Sequence, residues 1–393
     1  CATATCLRRP AISLMSPHPR HVLALAAIIV LVSCGTATAT RPHPDSTFRA
    51  AAAQLSFVGG WNLTTAQNQM AAVKAVVPVI AKASSEGADI VNFPEDMFYW
   101  GATNRSNALP FCETIPAVDA GVTVNPCSDA SYNTSTHLVL KSMSCAAQKY
   151  GIHVVVNTAE VEWCTPGAVS KDSQTCPSDG HFMFNTDVVF DNTGTVIAKY
   201  RKAHLTQGSE VTTFNEPPVK AVTFDTSFAG RMGLMTCYDI EFVNPAQALV
   251  DAGATTIMYE VDWVTSPPIL SGLMVQQARS RELGINFIAS NNNGLADVAS
   301  GGIYSAGQPI ATWFAPYTAG QDKLLVADVP VLTKPVPPPP PPARRQRSTH
   351  RAARAVPSPA LGHTTCSVGP LPTPCYGFTA TPGTSGAATV LDG

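Results

Sequence analysis

The sequence lacks an excess of charge of either sign and lacks a long apolar run. Its 25 lysines and arginines are balanced by 27 aspartates and glutamates, which leaves a formal charge of −2. Binding to nucleic acid depends on clustered positive charge, so we expect no nucleic-acid partner. The apolar run Val22–Val32 has eleven residues, whereas a helix needs roughly 20 to cross a bilayer. We therefore expect no membrane span.

Several common hydrolase signatures are also missing. The sequence contains no HExxH, no CxxC and no GxSxG, and none of its nine histidines falls in a nucleophile signature. Zinc hydrolases and Ser–His–Asp hydrolases commonly carry such patterns. Their absence disfavours both classes, and we expect neither a metal nor a cofactor.

The N-terminal segment has the order of features that is typical of a secretory signal peptide. Residues 1–14 precede Met15 and are expected to be sequence translated upstream of the start. A short basic stretch, the Val22–Val32 run and the small residues Ala37–Ala39 then follow in turn. We predict a signal peptide over 15–39 and a secreted protein. Three N-x-S/T sequons agree with export, at Asn62, Asn104 and Asn133.

The cysteine pattern predicts disulfides. Of the eleven cysteines, six lie in the main body of the sequence. Cys112 and Cys127 lie in a loop-like stretch, and so do Cys164 and Cys176. A disulfide within each pair would close a short loop and stabilise the fold by about 3 kcal/mol.

The two remaining cysteines of the body have different surroundings. Cys145 lies among apolar residues that recur at helical spacing, and we interpret it as a small buried side chain. Cys237 is then unpaired, and a free cysteine in an oxidising compartment calls for a reason. It is either a structural thiol at the end of a core strand or a nucleophile at the strand's mouth.

The body alternates between strand-like and helix-like segments, which predicts an α/β protein whose strands are mostly covered on both faces. A helix is predicted over Thr64–Ser85, with a kink or break at Pro78. The turn signal DNTG lies between two alternating segments and predicts a β-hairpin. The other predicted strands are FRAAAAQLSF, ADIVNFPED, IHVVVNTAEV, GRMGLMTCYDI, ATTIMYEVDW and INFIASNNNG, and the other predicted helices are HLVLKSMSCAAQKYG, NPAQALVDAG and SGLMVQQARSRELG.

The pattern ends near Leu332. We predict one domain over residues 40–332 and a low-complexity, Pro/Arg-rich, disordered tail over 333–393. Solvated arginines are expected in this tail at Arg344, Arg345, Arg347, Arg351 and Arg354.

Three extended segments each end at a reactive side chain. FPED supplies Glu95, KYRKAHL supplies Lys202 and TCYDI supplies Cys237. Open α/β folds place their active sites at such strand ends. Each residue alone has an ordinary explanation, as a turn carboxylate, a surface cation or a core thiol. Together and in this order they indicate an active site.

In this order the motifs resemble those of the nitrilase, or carbon–nitrogen hydrolase, superfamily. Its secreted branch, which contains pantetheinase and biotinidase, is also similar in FNTDVVFDNTGTVIAKYRK, TCYDIEFVNPA, INFIASN and GGIYSAG. The resemblance covers about residues 49–328. It implies a nitrilase-like α-β-β-α sandwich.

The residue types suit amide hydrolysis. The thiolate is the nucleophilic form of Cys237, and Glu95 can take the thiol proton and return it to the leaving amine. Lys202 and the backbone N–H of Tyr238 can stabilise the oxyanion. The acyl group would be carried as a thioester, which water activated by Glu95 then cleaves.

Three further residues are candidates for supporting roles. Glu210 follows Lys202 by eight residues, where the superfamily commonly has a second carboxylate; it either holds the lysine ammonium or is a surface acid. The resemblance suggests that Trp263 lines the acyl pocket with Asn291 nearby. Ordinary packing explains Trp263 equally well.

We therefore predict a secreted thiol amidase that acts on a small linear amide. The resemblance implies pantetheine, cleaved to pantothenate and cysteamine, as the leading substrate, and biocytin or a biotinyl amide as the alternative. A non-catalytic secreted glycoprotein and a redox protein that uses Cys237 are rival interpretations.

The sequence also departs from the branch in two respects. The proline-rich tail stands where members usually carry a further β-rich domain. In addition, the acidic Glu260 stands where the family tends to be uncharged, which bears on pocket selectivity.

Overall fold

The computed structural model describes residues 46–118, 123–263, 271–292, 300–314 and 322–337. The predicted signal peptide and the segment before it lie outside the described residues. The same is true of the predicted tail from residue 338 onward, including its arginine cluster.

Strands and helices alternate along the described residues, as the sequence predicts. The strands are β1 (Thr47–Gln54), β2 (Ile90–Asn92), β3 (His153–Trp163), β4 (His181–Phe190), β5 (Val196–Arg201), β6 (Thr223–Thr226), β7 (Gly230–Thr236), β8 (Thr256–Val261), β9 (Asn286–Asn291), β10 (Ser300–Ser305), β11 (Gln308–Phe314) and β12 (Lys323–Pro330). The α-helices are α1 (Thr65–Ser85), α2 (Arg105–Ala108), α3 (Leu138–Tyr150), α4 (Ser209–Thr213), α5 (Ala246–Asp251) and α6 (Ser271–Leu283).

The strands form two six-stranded sheets that pack face to face. The strand order is β12-β1-β2-β3-β4-β5 in the first sheet and β11-β10-β9-β8-β7-β6 in the second. In the first sheet β1, β2 and β3 are parallel, and in the second β7, β8 and β9 are parallel. The apolar core between the sheets includes Phe48, Ile90, Val155, Val189, Leu234, Met258, Ile288 and Ile303.

Helices cover the outer faces of both sheets. Val76 and Ile80 of α1 and Met143 of α3 share an apolar cluster with the first sheet. Leu249 of α5 and Leu283 of α6 share a cluster with the second sheet. The layers therefore follow the order helix, sheet, sheet, helix, and the predicted α-β-β-α sandwich is confirmed.

The long helix α1 begins where the sequence predicts and continues through its proline. Thr64 Oγ1 accepts from the backbone N–H of Gln67 (3.3 Å), and the Thr64 N–H donates to Gln67 Oε1 (2.8 Å). No break occurs at Pro78. A proline within a helix removes one hydrogen bond and costs about 3 kcal/mol. Burial of the flanking Val76 and Ile80 offsets this cost, at about 1.5–3 kcal/mol for each side chain.

The predicted hairpin is formed by β4 and β5. In its turn, Asp191 Oδ1 accepts from the backbone N–H groups of Thr193 (2.8 Å) and Thr195 (2.9 Å). The strands run antiparallel from this turn. At their far end, the Lys202 N–H donates to the backbone oxygen of Asn185 (2.9 Å). The hairpin therefore places these two residues side by side.

The predicted Cys112–Cys127 disulfide is wrong. Cys127 is bonded to Cys145 of α3, with 4.7 Å between their Cα atoms, and Cys112 is free. The Cys127 N–H donates to Ser144 Oγ (2.9 Å), which holds the loop against α3 beside Cys145. The Cys112 thiol instead contacts Met183 Sδ at 3.6 Å. The interpretation of Cys145 as an unpaired buried side chain is therefore also wrong.

The remaining cysteines of the body agree with the sequence prediction. Cys164 and Cys176 form a disulfide with 6.0 Å between their Cα atoms. Cys237 is free and buried.

The surface features agree with some of the other predictions. The three sequon asparagines, Asn62, Asn104 and Asn133, are exposed. Across the part of the chain that the structure describes, none of the helices has the length and apolar character needed to cross a membrane.

Candidate active site

Three strand ends converge on one site. Glu95 lies shortly after β2, Lys202 directly follows β5, and Cys237 directly follows β7. The carboxyl ends of these strands lie at the same edge of the two packed sheets. All three side chains are almost completely buried, with exposed fractions of 3%, 2% and 6%.

Hydrogen bonds between the two sheets hold this edge together. At the end of β2, Asn92 Nδ2 donates to the backbone oxygens of Tyr259 in β8 (3.0 Å) and Ile288 in β9 (3.2 Å). The backbone N–H of Asp262, which follows β8, donates to Glu95 Oε2 (3.1 Å). Glu95 of the first sheet therefore lies against the strand ends of the second.

The Lys202 ammonium is held between two carboxylates. Its Nζ lies 2.8 Å from Glu95 Oε1, and 2.9 Å and 2.8 Å from Glu210 Oε1 and Oε2. Burial lowers the pKa of Lys202, but the charges of Glu95, Cys237 and Glu210 more than compensate, so the net pKa lies well above its usual value. The lysine is therefore a fixed positive charge.

Cys237 occupies a strained position at the start of a short 3₁₀ helix, Cys237–Glu241. Its φ of +41° lies in the left-handed region that non-glycine residues rarely adopt. The Tyr259 hydroxyl donates to the Cys237 backbone oxygen (2.8 Å), and Sγ lies 4.0 Å from the backbone oxygen of Asp262. Strain of this kind is concentrated at functional sites.

The surroundings of the thiol favour its neutral form. Burial raises the pKa of Cys237 well above its usual value, the charge of Glu95 raises it further, and Lys202 opposes this rise. A thiol of this kind needs a neighbouring base to become a nucleophile. Glu95 is the carboxylate placed to act as that base.

Asp239 supports the turn that carries Cys237. Its Oδ2 accepts from the Tyr200 hydroxyl (2.6 Å) and from the Thr236 N–H (3.1 Å). Its Oδ1 accepts from the His204 N–H (3.0 Å). Asp239 is completely buried and joins the segment after β5 to the segment after β7.

Asn185 is a site residue that the sequence did not single out. Its Nδ2 donates to Glu95 Oε1 (2.7 Å) and to Glu210 Oε1 (2.9 Å). Its Oδ1 accepts from Asn157 Nδ2 at 2.5 Å. Asn185 therefore orients both carboxylates that hold Lys202. It lies within a strand, without a motif of its own, so no local signal distinguishes it.

The family is decided by a match over most of the chain. The carbon-nitrogen hydrolase family model matches residues 49–333. This chain belongs to the carbon–nitrogen hydrolase family.

The most similar family members include two vertebrate enzymes. Biotinidase from Takifugu rubripes is 34% identical over 257 residues, which cover 64% of this chain and 49% of that protein. Pantetheinase from Canis lupus familiaris is 37% identical over 253 residues, which cover 64% and 47%. The chain thus spans about half the length of these relatives.

Solved structures of an amidase share the fold of this carbon–nitrogen hydrolase. A mutant of the Nesterenkonia AN1 amidase from the nitrilase superfamily superposes with a TM-score of 0.51 at 20% identity. The superposition covers 74% of this chain and 92% of the amidase. This likeness concerns the fold alone.

The predicted substrate contacts of this carbon–nitrogen hydrolase have different degrees of access. Trp263 follows β8 by two residues, is partly buried and packs against the apolar cluster that contains Cys237. Asn291 is completely buried; its Oδ1 accepts from the Trp263 N–H (2.9 Å) and its Nδ2 donates to the Trp263 oxygen (3.0 Å). Asn291 therefore positions Trp263 and does not face the cleft. Tyr238 is the second residue of the 3₁₀ helix.

Proposed function

We propose that this carbon–nitrogen hydrolase cleaves linear amides through a Cys237 thioester. The observation that carries the proposal is the Lys202 ammonium, held at 2.8 Å from Glu95 and Glu210 beside a free cysteine on a strained turn. A buried cation costs free energy unless it is paired. Its placement next to a thiol and a carboxylate suits stabilisation of a developing oxyanion.

In the first half of the reaction, Glu95 takes the proton of the Cys237 thiol as the sulfur adds to the amide carbonyl. The Lys202 ammonium and the Tyr238 N–H stabilise the resulting oxyanion. When the tetrahedral intermediate collapses, the C–N bond breaks and Glu95 returns its proton to the departing amine. The acyl group remains on Cys237 as a thioester.

In the second half, water replaces the amine. Glu95, again ionised, accepts a proton from the water as the water oxygen attacks the thioester carbonyl. The C–S bond then breaks, Glu95 returns the proton to sulfur, and the carboxylic acid leaves. Glu210 and Asn185 serve throughout by holding the ammonium and the base in place.

Pantetheine is the substrate we propose, with pantothenate and cysteamine as products. Identity of 37% to a pantetheinase supports this choice. Biocytin is the second candidate, because a biotinidase is 34% identical over a similar length. Both molecules present a linear secondary amide.

We further propose that the protein acts outside the cell, as the domain 40–332 released from a signal peptide. Disulfides persist in oxidising compartments, and the described residues contain two of them. The three exposed sequons agree with this location. Expression in cultured animal cells should give a secreted product whose mass falls on deglycosylation.

Purified protein tests the proposed activity directly. Pantetheine, biocytin and simple amides are assayed for amine release with the wild type and with Cys237→Ala. We expect cysteamine release by the wild type and none by the variant, which should keep its circular dichroism spectrum. Failure of the wild type to release any amine would support a non-catalytic glycoprotein instead. Equal turnover by wild type and variant would contradict the role of Cys237.

A further inference from the structure

Glu260 is an acidic side chain in the interior of the protein. It lies in β8 and is completely buried, so it does not line the pocket. Among the described residues, neither of its carboxyl oxygens has a hydrogen-bond donor. An ionised carboxylate without donors or a cation is strongly unfavourable in such a place. Glu260 is therefore expected to carry a proton.

The partner of Glu260 is Asp187, which reaches it from the opposite sheet. Asp187 is also completely buried, but it has donors: Oδ1 accepts from Asn157 Nδ2 (2.8 Å) and Oδ2 from Thr236 Oγ1 (2.6 Å). Burial raises the pKa of Asp187 to about 7, against the hydrogen bonds from Asn157, Thr236 and Glu260. Burial and the charge of Asp187 raise the pKa of Glu260 well above its usual value. Of the two carboxyl groups, Glu260 is therefore the one that keeps the proton.

We propose that Glu260 is a protonated positioning residue that donates to Asp187, and that this carboxylic acid–carboxylate pair sets the placement of Cys237 relative to Glu95. The proposal rests on the amide hydrolysis proposed above. It gives a role to an acidic residue that stands where the family tends to be uncharged.

One branch of the network leads from the pair to the nucleophile. Asp187 accepts from the hydroxyl of Thr236, and Thr236 immediately precedes Cys237. In the strand register Thr236 also lies opposite Glu260. The last residue before the strained turn is therefore fixed by Asp187, and Asp187 is fixed by Glu260.

The second branch leads to the general base. Asn157 Nδ2 donates to Asp187 Oδ1 (2.8 Å) and also to Asn185 Oδ1. Asn185 in turn donates to Glu95 Oε1 (2.7 Å). A single carboxylate, Asp187, thus anchors both the turn that carries the sulfur and the amides that orient its base.

Two substitutions of Glu260 separate this role from simple packing. Glu260→Gln keeps an N–H that can donate to Asp187, whereas Glu260→Met keeps the volume but loses the donor. We expect kcat of Glu260→Gln within about 3-fold of the wild type. Glu260→Met should lose about 100-fold in kcat with little change in KM, which is the scale of loss that a misplacement of about 1 Å produces.

The matched control is Ser290→Ala. Ser290 lies opposite Glu260 in the register of β9, is equally buried, and donates to the Asn92 oxygen (2.9 Å) outside the network. This variant should lose stability but keep kcat. If Glu260→Met lost stability to the same extent and kept kcat, the role of Glu260 would be structural only, and the proposal would be overturned. A folded Glu260→Gln as slow as Glu260→Met would overturn it too.

Two measurements do not depend on amide turnover. Infrared difference spectra at pH 7 should show the carbonyl stretch of a protonated carboxylic acid in the wild type, and this band should be absent from Glu260→Gln. The alkylation rate of Cys237 by iodoacetamide should change in Glu260→Met and not in Glu260→Gln. Absence of the band, or equal alkylation in all three proteins, would contradict the proposal. An inactive wild type that shows the band and these alkylation rates would overturn the proposed substrate class but not the pair.

Discussion

Lys202 Nζ lies 2.8 Å from Glu95 Oε1, and the two side chains are exposed by only 1% and 3%. A buried ion pair of this kind is seldom a gain in stability, because both charges lose their hydration. Its usefulness lies in the fixed direction of the ammonium. The charge is already in place before an oxyanion forms, so no solvent has to reorganise during the reaction.

The first prediction concerns this ammonium. Lys202→Met keeps the length of the side chain and removes the charge, so kcat/KM should fall by roughly 100-fold or more, the cost of losing one oxyanion donor. Steady-state kinetics with pantetheine measure it. Lys220→Met is the control, because Lys220 is exposed and pairs with Asp172. A rate close to that of the wild type would remove Lys202 from the site.

The second prediction concerns Glu210. Glu210→Gln leaves a neutral acceptor near the ammonium, so we expect a loss in kcat/KM of about 10-fold to 100-fold, smaller than that of Lys202→Met. Because Glu210 acts through Lys202, the two losses should not add in the double variant. Additive losses would show that Glu210 acts independently of the lysine.

The third prediction concerns the charge of the cleft. The Asp262 side chain is accessible to solvent yet surrounded by protein, and this burial, together with the charge of Glu95, raises its pKa to about 7. As pH rises through 7, Asp262 becomes ionised and should disfavour amides with a negatively charged leaving half. Repulsion of about 1 kcal/mol at about 4 Å corresponds to roughly 5-fold in rate.

This selectivity can be measured with two pantothenoyl amides, one of cysteamine and one of β-alanine. At pH 8, Asp262→Asn should raise the relative kcat/KM of the anionic amide by roughly 5-fold. At pH 5.5 the wild type and the variant should agree. Asp225→Asn is the control, since Asp225 lies in the hairpin at the opposite end of β7. The same ratio in all three proteins at pH 8 would contradict the prediction.

The fourth prediction concerns stability and pH. Glu113 is buried and accepts from the backbone N–H groups of Val139 (2.7 Å) and Leu140 (3.0 Å) at the start of α3. Burial raises its pKa from 4.5 to about 7, although these two N–H groups lower it. The folded state therefore holds this proton more tightly than the unfolded state.

The contribution of protonated Glu113 to stability is complete below pH 4.5 and is lost as pH rises through 7. Over this window the wild type should lose up to about 3 kcal/mol in unfolding free energy relative to Glu113→Gln. Urea unfolding of both proteins between pH 4 and pH 8 measures the difference. Parallel pH profiles would show that the carboxyl does not titrate in this way.

The fifth prediction concerns the disulfides. Peptide mapping without reduction should join Cys127 to Cys145 and leave Cys112 as a free thiol. Replacing Cys127 and Cys145 by alanine should cost about 3 kcal/mol, because the bond closes a loop with a sequence separation of 18. Cys112→Ser should leave the map unchanged. A peptide that joins Cys112 to Cys127 would contradict the structure.

Local patterns in the sequence were sufficient for most elements and for the order of the three motifs. Alternation around DNTG predicted the hairpin, and a capping residue followed by helical spacing predicted α1. These features depend on neighbours a few residues apart. The order Glu95, Lys202, Cys237 also indicated the family, because each residue ends a recognisable strand.

Contacts between distant segments decided the rest. The partner of Cys127 depends on how a loop packs against α3, and Asn185 is recognisable only once the hairpin register places it beside Lys202. The sequence by itself determined which chemistry was at hand, since side-chain type and strand ends are local. Only the tertiary structure decided which polar groups are buried together, because burial and charge pairing depend on the packing of two sheets.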